Sequence, residues 1–353
     1  MNQIISKSSS NKENSSVSWV AAAGISAVAL FAVSKLAGRI WRPPVNLRGK
    51  IVLITGGSRG LGLAVAQELG DYGCRVALVA RNQSELEDAA SRLRARGIET
   101  AVFACDIAQP ASIGPLVDRV LAHFGRIDIF VNDAGLIKVA PLDNVERDDF
   151  DEAMDLMFWA PLNLTFAVLP HMKGQGGGHI VNITSVGGRV SVPHLLPYCC
   201  AKFAFAGFST GLSAELDPEH IHVLTVVPGL MRTGSYLNAK FKGQSEKEFT
   251  WFSLIGNLPG FSVSAEHAAR AIRQSLQKRD LMCTISLPAK LLIHMEALLP
   301  EATRTVMQLS GKMLPAPNQN DKPVNGKTLN RRFGALFQAV TTLGRMAAHD
   351  LNE

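Results

Sequence analysis

A glycine-rich loop between a strand pattern and a helix pattern is the feature that most restricts how this chain can fold. Residues 50–55 read as a short buried strand, and residues 63–69 open a helix with an apolar face. The loop between them places glycines at Gly56, Gly60 and Gly62. Glycines permit a tight turn and let the backbone approach a pyrophosphate, which then binds at the positive N-terminus of the helix. This order of strand, loop and helix predicts a nucleotide-binding unit.

Apolar strand patterns and helical patterns continue to alternate downstream of the loop. Such alternation indicates an α/β fold with a doubly wound parallel sheet. In these sheets ligands bind beyond the carboxyl ends of the strands. Strands are predicted at 75–80, 100–105, 127–132 and 179–184, and helices at 85–96, at 113–124 and within 147–172.

The end of the second strand carries information about the nucleotide. An NAD site would place an acidic residue there to bind the ribose 2′-hydroxyl, but Ala80 and Arg81 occupy this end, followed by Asn82. The Arg81 guanidinium can pair with a 2′-phosphate, and Arg59 in the glycine loop is a second candidate. This favours NADP(H), and the alternative is a pair of solvated arginines. Asp106, after the third strand, is the candidate partner for the adenine edge.

A tyrosine and a lysine four residues apart, Tyr198 and Lys202, form the candidate catalytic pair. On a helix this spacing places both side chains on one face, with ~5–6 Å between their Cβ atoms. A nearby ammonium favours the phenolate, so Lys202 is expected to lower the pKa of Tyr198 from its usual ~10. Ser185 follows the strand pattern at 179–184, where its hydroxyl can hydrogen-bond a substrate oxygen. An isolated pair of this kind is usually a solvated helix face, but here a nucleotide-binding unit lies upstream.

In their order and spacing, these residues resemble the short-chain dehydrogenase/reductase family over about residues 48–285. The resemblance implies a Rossmann-like sheet of about seven strands and hydride transfer with a nicotinamide cofactor. Tyr198 would be the general acid/base, Ser185 would hold the substrate oxygen, and Lys202 would bind the nicotinamide ribose and lower the pKa of Tyr198. The matching stretches are Thr55-Gly-Gly-Ser-Arg-Gly-Leu-Gly62, Asp106, Asn132-Asp-Ala-Gly135, Ser185, Tyr198-Cys-Cys-Ala-Lys202 and Pro228-Gly-Leu-Met-Arg-Thr233.

Two positions depart from the family pattern. Met157 stands where the family carries an asparagine that kinks its helix and positions a proton-relay water, and Asn163 lies six residues out of register. Asp133 places a carboxylate beside the cofactor, where an asparagine or alanine is usual. The candidate cofactor-binding residues are Gly56, Ser58, Arg59, Gly60, Leu61, Gly62, Arg81, Asn82, Asp106, Asn132, Ala134, Gly135, Tyr198, Lys202, Pro228, Gly229 and Thr233.

Both ends of the chain extend beyond this domain. We expect a disordered segment at 1–16, an apolar helix and linker at 17–43, the NADP-binding domain at 44–287 and a helical extension at 288–353. Residues 17–33 carry no charge and would span about 25 Å as a helix, near the ~30 Å hydrocarbon core of a membrane. The basic residues that follow predict a membrane-associated protein whose catalytic domain faces the cytoplasm. A targeting segment and a helix packed on the domain are the alternatives.

Aromatic residues are dense in about residues 230–262, the segment that normally covers the substrate in this family. This suggests an apolar pocket and, with the apolar chain ends, a lipophilic ketone or secondary alcohol of steroid, retinoid, fatty or sphingoid type. Ordinary packing on the domain is the alternative for these aromatics, and a structural role is the alternative to substrate contact for His194. Apolar residues at helical spacing between 329 and 343 likewise fit a membrane-surface helix or a helix packed on the domain.

Composition argues against several other classes of protein. The net charge of +6 comes without a basic run interleaved with aromatics, so no nucleic-acid partner is expected. Five cysteines without a Cys-x-x-Cys motif, and nine histidines without a His-Glu-x-x-His motif, indicate reduced thiols and no metal site.

The sequence therefore favours a membrane-associated NADP(H)-dependent oxidoreductase with a lipophilic substrate. A rival from another class is an NADP-binding sensor or scaffold without turnover, motivated by Met157 and Asp133. An isomerase or dehydratase that uses Tyr198 without consuming the cofactor is a third reading. The resemblance also implies that the helix carrying Tyr198 is available as the face of a homodimer.

Overall fold

The computed structural model describes residues 43–258, 260–333, 337 and 341–353. Residues 46–353 form one compact unit. The predicted disordered segment at 1–16 and the apolar segment at 17–33 lie outside the described residues.

The strands confirm the predicted doubly wound parallel sheet. Seven of them pair in the order β11-β7-β6-β4-β1-β2-β3, and every pairing in this sheet is parallel. In chain order the strands are Ile51–Thr55 (β1), Arg75–Ala80 (β2), Thr100–Ala104 (β3), Ile129–Asn132 (β4), Lys138–Val139 (β5), Gly178–Ile183 (β6), Ile221–Pro228 (β7), Leu230–Arg232 (β8), Lys240–Phe241 (β9), Ser262–Ser264 (β10), Met282–Ile285 (β11) and Val324–Asn325 (β12).

Helices cover both faces of the sheet, which explains why its strands read as continuous apolar runs rather than alternating ones. Every residue of β1 and β4 is buried. The helices are Gly60–Asp71 (α1), Gln83–Arg94 (α2), Ile113–Phe124 (α3), Arg147–Met154 (α4), Ala160–Gly174 (α5), Leu196–Glu215 (α6), Ser245–Asn257 (α7), Ala265–Lys278 (α8), Leu287–Leu298 (α9), Pro300–Lys312 (α10), Gly326–Asn330 (α11) and Thr342–Asp350 (α12).

Helices α4 and α5 are joined without a break by a π-helical turn at Asp155–Trp159. Among the described residues, the combined helix Arg147–Gly174 is long and apolar enough to cross a membrane by length and composition. Its Leu164, Val168 and Met172 are buried in the core cluster beneath the sheet, together with side chains of α3. We therefore assign it as a core helix of the domain.

The aromatic residues of the 230–262 segment other than Phe261 pack in a second core cluster. Phe249 on α7 is fully buried and its ring centroid lies 5.4 Å from that of Phe241. Phe333 stacks on Phe249 at 5.5 Å, and Phe337 lies 5.8 Å away. The structure thus agrees with the packing alternative for Phe333 and Phe337, and the prediction of one helix across 329–343 is wrong because α11 ends at Asn330.

Removal of the Phe249 ring is expected to destabilise the domain strongly, because the ring is enclosed by aromatic neighbours from two parts of the chain. Phe249→Ala should lower the free energy of unfolding by about 3–5 kcal/mol, measured by urea denaturation. Phe261→Ala is the matched control, since its side chain is 58% exposed, and it should change stability by less than about 0.5 kcal/mol. Equal losses in the two variants would contradict the assignment of Phe249 to the core.

Candidate active site

A cavity of about 610 Å³ opens at the carboxyl ends of β1, β2, β4, β6 and β7. Its position is the one expected for ligands of a doubly wound sheet. The residues nominated from the sequence that line it are Gly56, Ser58, Arg59, Gly60, Leu61, Arg81, Asn82, Ala134, Gly135, Ser185, Tyr198, Lys202, Pro228, Gly229 and Thr233.

Three nominated residues support the cavity without lining it. A Cβ on Gly62 would collide with the carbonyl oxygen of Gly56. The buried Asn132 amide donates to Asn182 Oδ1 at 2.9 Å and so ties β4 to β6. The Asp106 carboxylate accepts the Ala108 N–H at 3.2 Å and so closes a turn of its own loop, between Cys105 and Ile107, which line the cavity.

The glycine loop is tied directly to the segment after β4. The Thr55 hydroxyl accepts the N–H groups of Asp133 and Ala134 at 3.2 and 3.4 Å. Gly56 has φ of 70°, and a Cβ there would lie 3.0 Å from the Ala134 backbone. The glycine loop and the segment after β4 therefore lie in backbone contact with each other. This leaves no room for a side chain at Gly56, while the open side of the cavity remains for a dinucleotide.

Ser185, Tyr198 and Lys202 converge at one end of the cavity. The Ser185 hydroxyl accepts the Gly187 N–H at 3.0 Å and lies close enough to the Tyr198 hydroxyl to lower its pKa. The Lys202 ammonium donates to the Ile183 carbonyl at 2.9 Å and lies 5.9 Å from the centre of the Tyr198 ring. α6 and the end of β6 bring the three together, as their spacing in the sequence led us to expect.

The pKa of Tyr198 moves in the direction opposite to the one expected from its lysine neighbour. Burial raises it to about 12, and the hydrogen bond to Ser185 only partly opposes this. Lys202 is itself buried and its ammonium is directed at the Ile183 carbonyl. Desolvation therefore outweighs the attraction that sequence spacing alone predicts.

Asp133 and Lys202 share this buried environment and stabilise each other's charged form. Burial raises the pKa of the Asp133 carboxyl, which Lys202 and the Gly62 N–H oppose. Burial lowers the pKa of the Lys202 ammonium, which Asp133 opposes. The unusual aspartate of the Asn132–Gly135 stretch thus gives the buried lysine a carboxylate partner across the cavity.

Met157 occupies the π turn at the position where the family carries an asparagine. Its side chain is buried and packs with Ala153, Ala201 and Tyr198. Asn163 lies further along, in α5, and does not line the cavity. The helix is therefore interrupted at the expected place, but by an apolar side chain, and Asn163 does not substitute for the missing amide.

At the opposite end of the cavity, Arg59 is held between two carboxylates. Its guanidinium lies 3.1 Å from Glu85 and 3.6 Å from Glu353. Arg81 is exposed at the rim, and Asn82 caps α2 by accepting the Ser84 N–H at 3.0 Å. Sequence reasoning missed both acidic residues: Glu85 lies at a capping distance from Asn82, but no local pattern connects Glu353 to the glycine loop.

The side of the cavity next to Tyr198 is aliphatic and its rim is charged. Leu136, Ile137, Leu156 and Met231 line it. At the rim, Lys240 pairs with Glu152 at 3.1 Å. The aromatic residues of the 230–262 segment, the lid, do not line the cavity, so the expectation that they form the substrate pocket is corrected. Apart from Phe261 they pack in the core cluster around Phe249.

His194 also stays outside the cavity lining. Its Nδ1 lies 2.9 Å from the fully buried Glu248, whose other oxygen accepts from Trp251 at 2.6 Å. Its backbone has φ of 63°, and its carbonyl accepts the Ala140 N–H at 2.9 Å. The structural role that we considered for His194 therefore agrees with its contacts.

Comparisons with known proteins place this fold and site in a family. The short chain dehydrogenase model matches residues 50–242. The chain is 33% identical over 260 residues to the dehydrogenase/reductase SDR family protein 7-like of Drosophila melanogaster, covering 72% of this chain and 78% of that protein. L-sorbose reductase from Gluconobacter frateurii, solved with NADPH and L-sorbose, is 25% identical with a TM-score of 0.61 and covers 69% of this chain and 97% of its own.

The same fold occurs in an NAD⁺-bound xylitol dehydrogenase, which is 23% identical with a TM-score of 0.60 and covers 68% of this chain and 99% of its own. The fold, the family match and the identity over most of the chain agree with one another. The chain belongs to the short-chain dehydrogenase/reductase family of nicotinamide-dependent oxidoreductases.

Proposed function

We propose that this protein is an NADP(H)-dependent oxidoreductase that transfers hydride between the nicotinamide and a lipophilic ketone or secondary alcohol. The observation that carries the proposal is the convergence of Ser185, Tyr198 and Lys202 on the cavity that the glycine loop also lines. The aliphatic residues Leu136 and Leu156 beside Tyr198 support an apolar substrate.

In this proposal the chain's own residues control the proton on the substrate oxygen. The bound cofactor supplies or accepts the hydride. Ser185 holds the substrate oxygen, and Tyr198 donates the proton to it as general acid. Burial raises the pKa of Tyr198 to about 12, so at neutral pH its hydroxyl carries the proton that it would donate. Lys202 holds the nicotinamide ribose and is kept charged by Asp133.

Tyr198→Phe is expected to remove the proton donor while leaving the cavity intact. Turnover of a lipophilic ketone with NADPH should fall by about 10²–10⁴-fold, whereas the dissociation constant for NADPH should change little. Tyr72→Phe is the matched control, because Tyr72 is 47% exposed and its ring contact with Arg273 survives the change.

Unchanged turnover in Tyr198→Phe would contradict the assigned role.

The second candidate function, an NADP-binding sensor or scaffold without turnover, is favoured by Met157 packing against Tyr198 in place of the usual asparagine. It predicts NADPH binding with no consumption of cofactor in wild type for any ketone tested. An isomerase or dehydratase would convert its substrate without consuming the cofactor.

The preference for NADP(H) rests on Arg59 and Arg81 at the rim of the cavity. The NADPH complex of the similar L-sorbose reductase supports it, whereas the NAD⁺ complex of the similar xylitol dehydrogenase shows that the fold accepts either cofactor. Because Glu85 already pairs with Arg59, we assign the larger share of 2′-phosphate recognition to Arg81.

The purified protein should bind NADPH at least about tenfold more tightly than NADH, a difference of ~1.4 kcal/mol, in titrations that follow cofactor fluorescence. Arg81→Ala should remove most of this preference by weakening NADPH binding alone. Arg96→Ala, which removes an exposed ion pair with Asp71 on the outer surface, should leave both constants unchanged. Equal affinity for the two cofactors in wild type would overturn the assignment of Arg81.

Membrane association through residues 17–33 is part of the same proposal, with the domain on the cytoplasmic side. Apolar residues exposed on the packed pair α9 and α10 support it: Leu291, Leu298, Val306 and Leu309 are each 48–76% exposed. A homodimer face is supported separately by Trp159, Phe166 and Phe203, which are exposed on the helices around Tyr198.

Full-length protein should remain in membranes after a carbonate wash, because an apolar spanning helix resists extraction at high pH. The same chain without residues 1–43 should be released by the wash, since an exposed apolar surface alone binds a membrane reversibly. Release of the full-length protein by carbonate would contradict the anchor.

A further inference from the structure

Residues 351–353 lie against the glycine loop, and Glu353 lines the candidate cofactor cavity. The Gly60 N–H donates to the Leu351 carbonyl at 2.9 Å. The Asn352 amide donates to the Ser58 carbonyl at 3.0 Å and to the Glu85 carbonyl at 3.2 Å. The segment thus occupies backbone groups of the loop that a dinucleotide is expected to approach.

The Glu353 carboxylate occupies the part of this loop suited to a phosphate. A Cβ on Gly60 would lie 2.6 Å from Glu353 Oε1, so the carboxylate rests directly on the glycine. It accepts a hydrogen bond from the Asn238 amide and lies 3.6 Å from the Arg59 guanidinium. The Glu353 side chain is only 5% exposed. A negatively charged group therefore already fills the space between the glycine loop and the residues after β8.

The segment is held in place by contacts outside the cavity. Arg92 on α2 donates to the carbonyls of His349 and Asp350 at 3.0 and 3.1 Å. Ala348 is buried against Gly234, where any Cβ would collide with it. These contacts fix one backbone path for the segment and direct Asn352 and Glu353 to the loop.

We propose that residues 351–353 are an internal ligand of the cofactor's phosphate-binding loop and must leave it before the dinucleotide binds. The inference rests on the proposed function, since it assigns the same loop to NADP(H). A phosphate cannot share the Gly60 surface with Glu353, because the carboxyl group already occupies that space. The segment therefore lowers the apparent affinity for cofactor by the fraction of protein in the open form.

The buried carboxyl makes this competition depend on pH. Burial raises the pKa of Glu353 from 4.5 to about 7; Arg59 and Lys327 oppose the shift, and Glu85 adds to it. Asp133 also faces this carboxyl, and its own pKa is raised in part by Glu353. Since the docked segment binds a proton more tightly than the free segment, docking is strongest below pH 4.5 and weakens as the pH rises to about 7.

The direct test compares the dissociation constant for NADPH in wild type and in Asn352→Ala/Glu353→Ala, by titration of the full-length protein. The variant should bind NADPH about tenfold more tightly if the open form is about one tenth of wild type. His349→Ala/Asp350→Ala is the matched control in the same segment, because both side chains are exposed and only their backbone carbonyls bond to Arg92. It should bind NADPH like wild type.

Two further variants separate competition from a general loss of structure. Arg92→Ala loosens the segment without touching the cavity lining, so it should also tighten NADPH binding. Glu353→Gln keeps the shape without the charge, so at pH 8 it should bind NADPH several-fold more weakly than wild type, and this difference should shrink as the pH is lowered towards 4.5. A purely structural role would move all of these variants in the same direction.

Hydrogen exchange gives a readout that is independent of affinity. Added NADPH should increase exchange in the 342–353 peptide and leave the α8 peptide unchanged. Equal NADPH affinity in wild type and Asn352→Ala/Glu353→Ala, or greater protection of 342–353 with NADPH bound, would overturn the inference and leave the proposed function standing. Failure of every variant to bind NADPH would contradict the proposed function and the inference together.

Discussion

The close approach of α1 to the glycine loop is the constraint on which the cavity depends. Gly62 has no room for a side chain beside the Gly56 carbonyl, and Gly56 itself meets the Ala134 backbone. Thr55 then joins the loop to the segment after β4 with a single hydroxyl. Because only backbone separates β1, α1 and this segment, the N-terminus of α1 faces the cavity at the carboxyl ends of the strands. In our proposal the cofactor phosphate and Glu353 compete for this position.

Burial of charge is the common cause of the unusual electrostatics in this cavity. It raises the pKa values of Asp133, Tyr198 and Glu353 and lowers that of Lys202. An ammonium and two carboxyl groups in one enclosed space partly neutralise one another, so none bears the full cost of an isolated buried ion. Asp133, which departs from the family pattern, is therefore electrostatically coupled both to Lys202 and to Glu353.

Local patterns were sufficient to predict the sheet, α3 and the glycine loop, because strands, helices and tight turns depend on neighbouring residues. The same patterns could not show what a side chain packs against. The aromatic residues of 230–262 suggested either an apolar pocket or packing on the domain, and the spacing could not show that Phe249 packs against Phe333 from the extension. The spacing of Tyr198 and Lys202 predicted that the two side chains lie close together. Burial nevertheless raises the pKa of Tyr198, which Lys202 was expected to lower. Glu353 reaches Gly60 only through the tertiary fold.

The aromatic cluster that fills the lid also determines where residues 348–353 lie. Phe333 and Phe337 pack on α7, and α12 packs against the same helix before the chain enters the cavity. The lid and the segment are thus two parts of one packed unit, so displacing all of α12 would also disturb the lid.

Release of residues 351–353 alone costs much less free energy than displacement of all of α12. It breaks hydrogen bonds worth about 1 kcal/mol each and exposes one buried leucine, Leu351, at about 1.5–3 kcal/mol. Displacement of all of α12 would in addition break its packing on α7. Local release of the segment, with α12 and the lid in place, is therefore the less costly path.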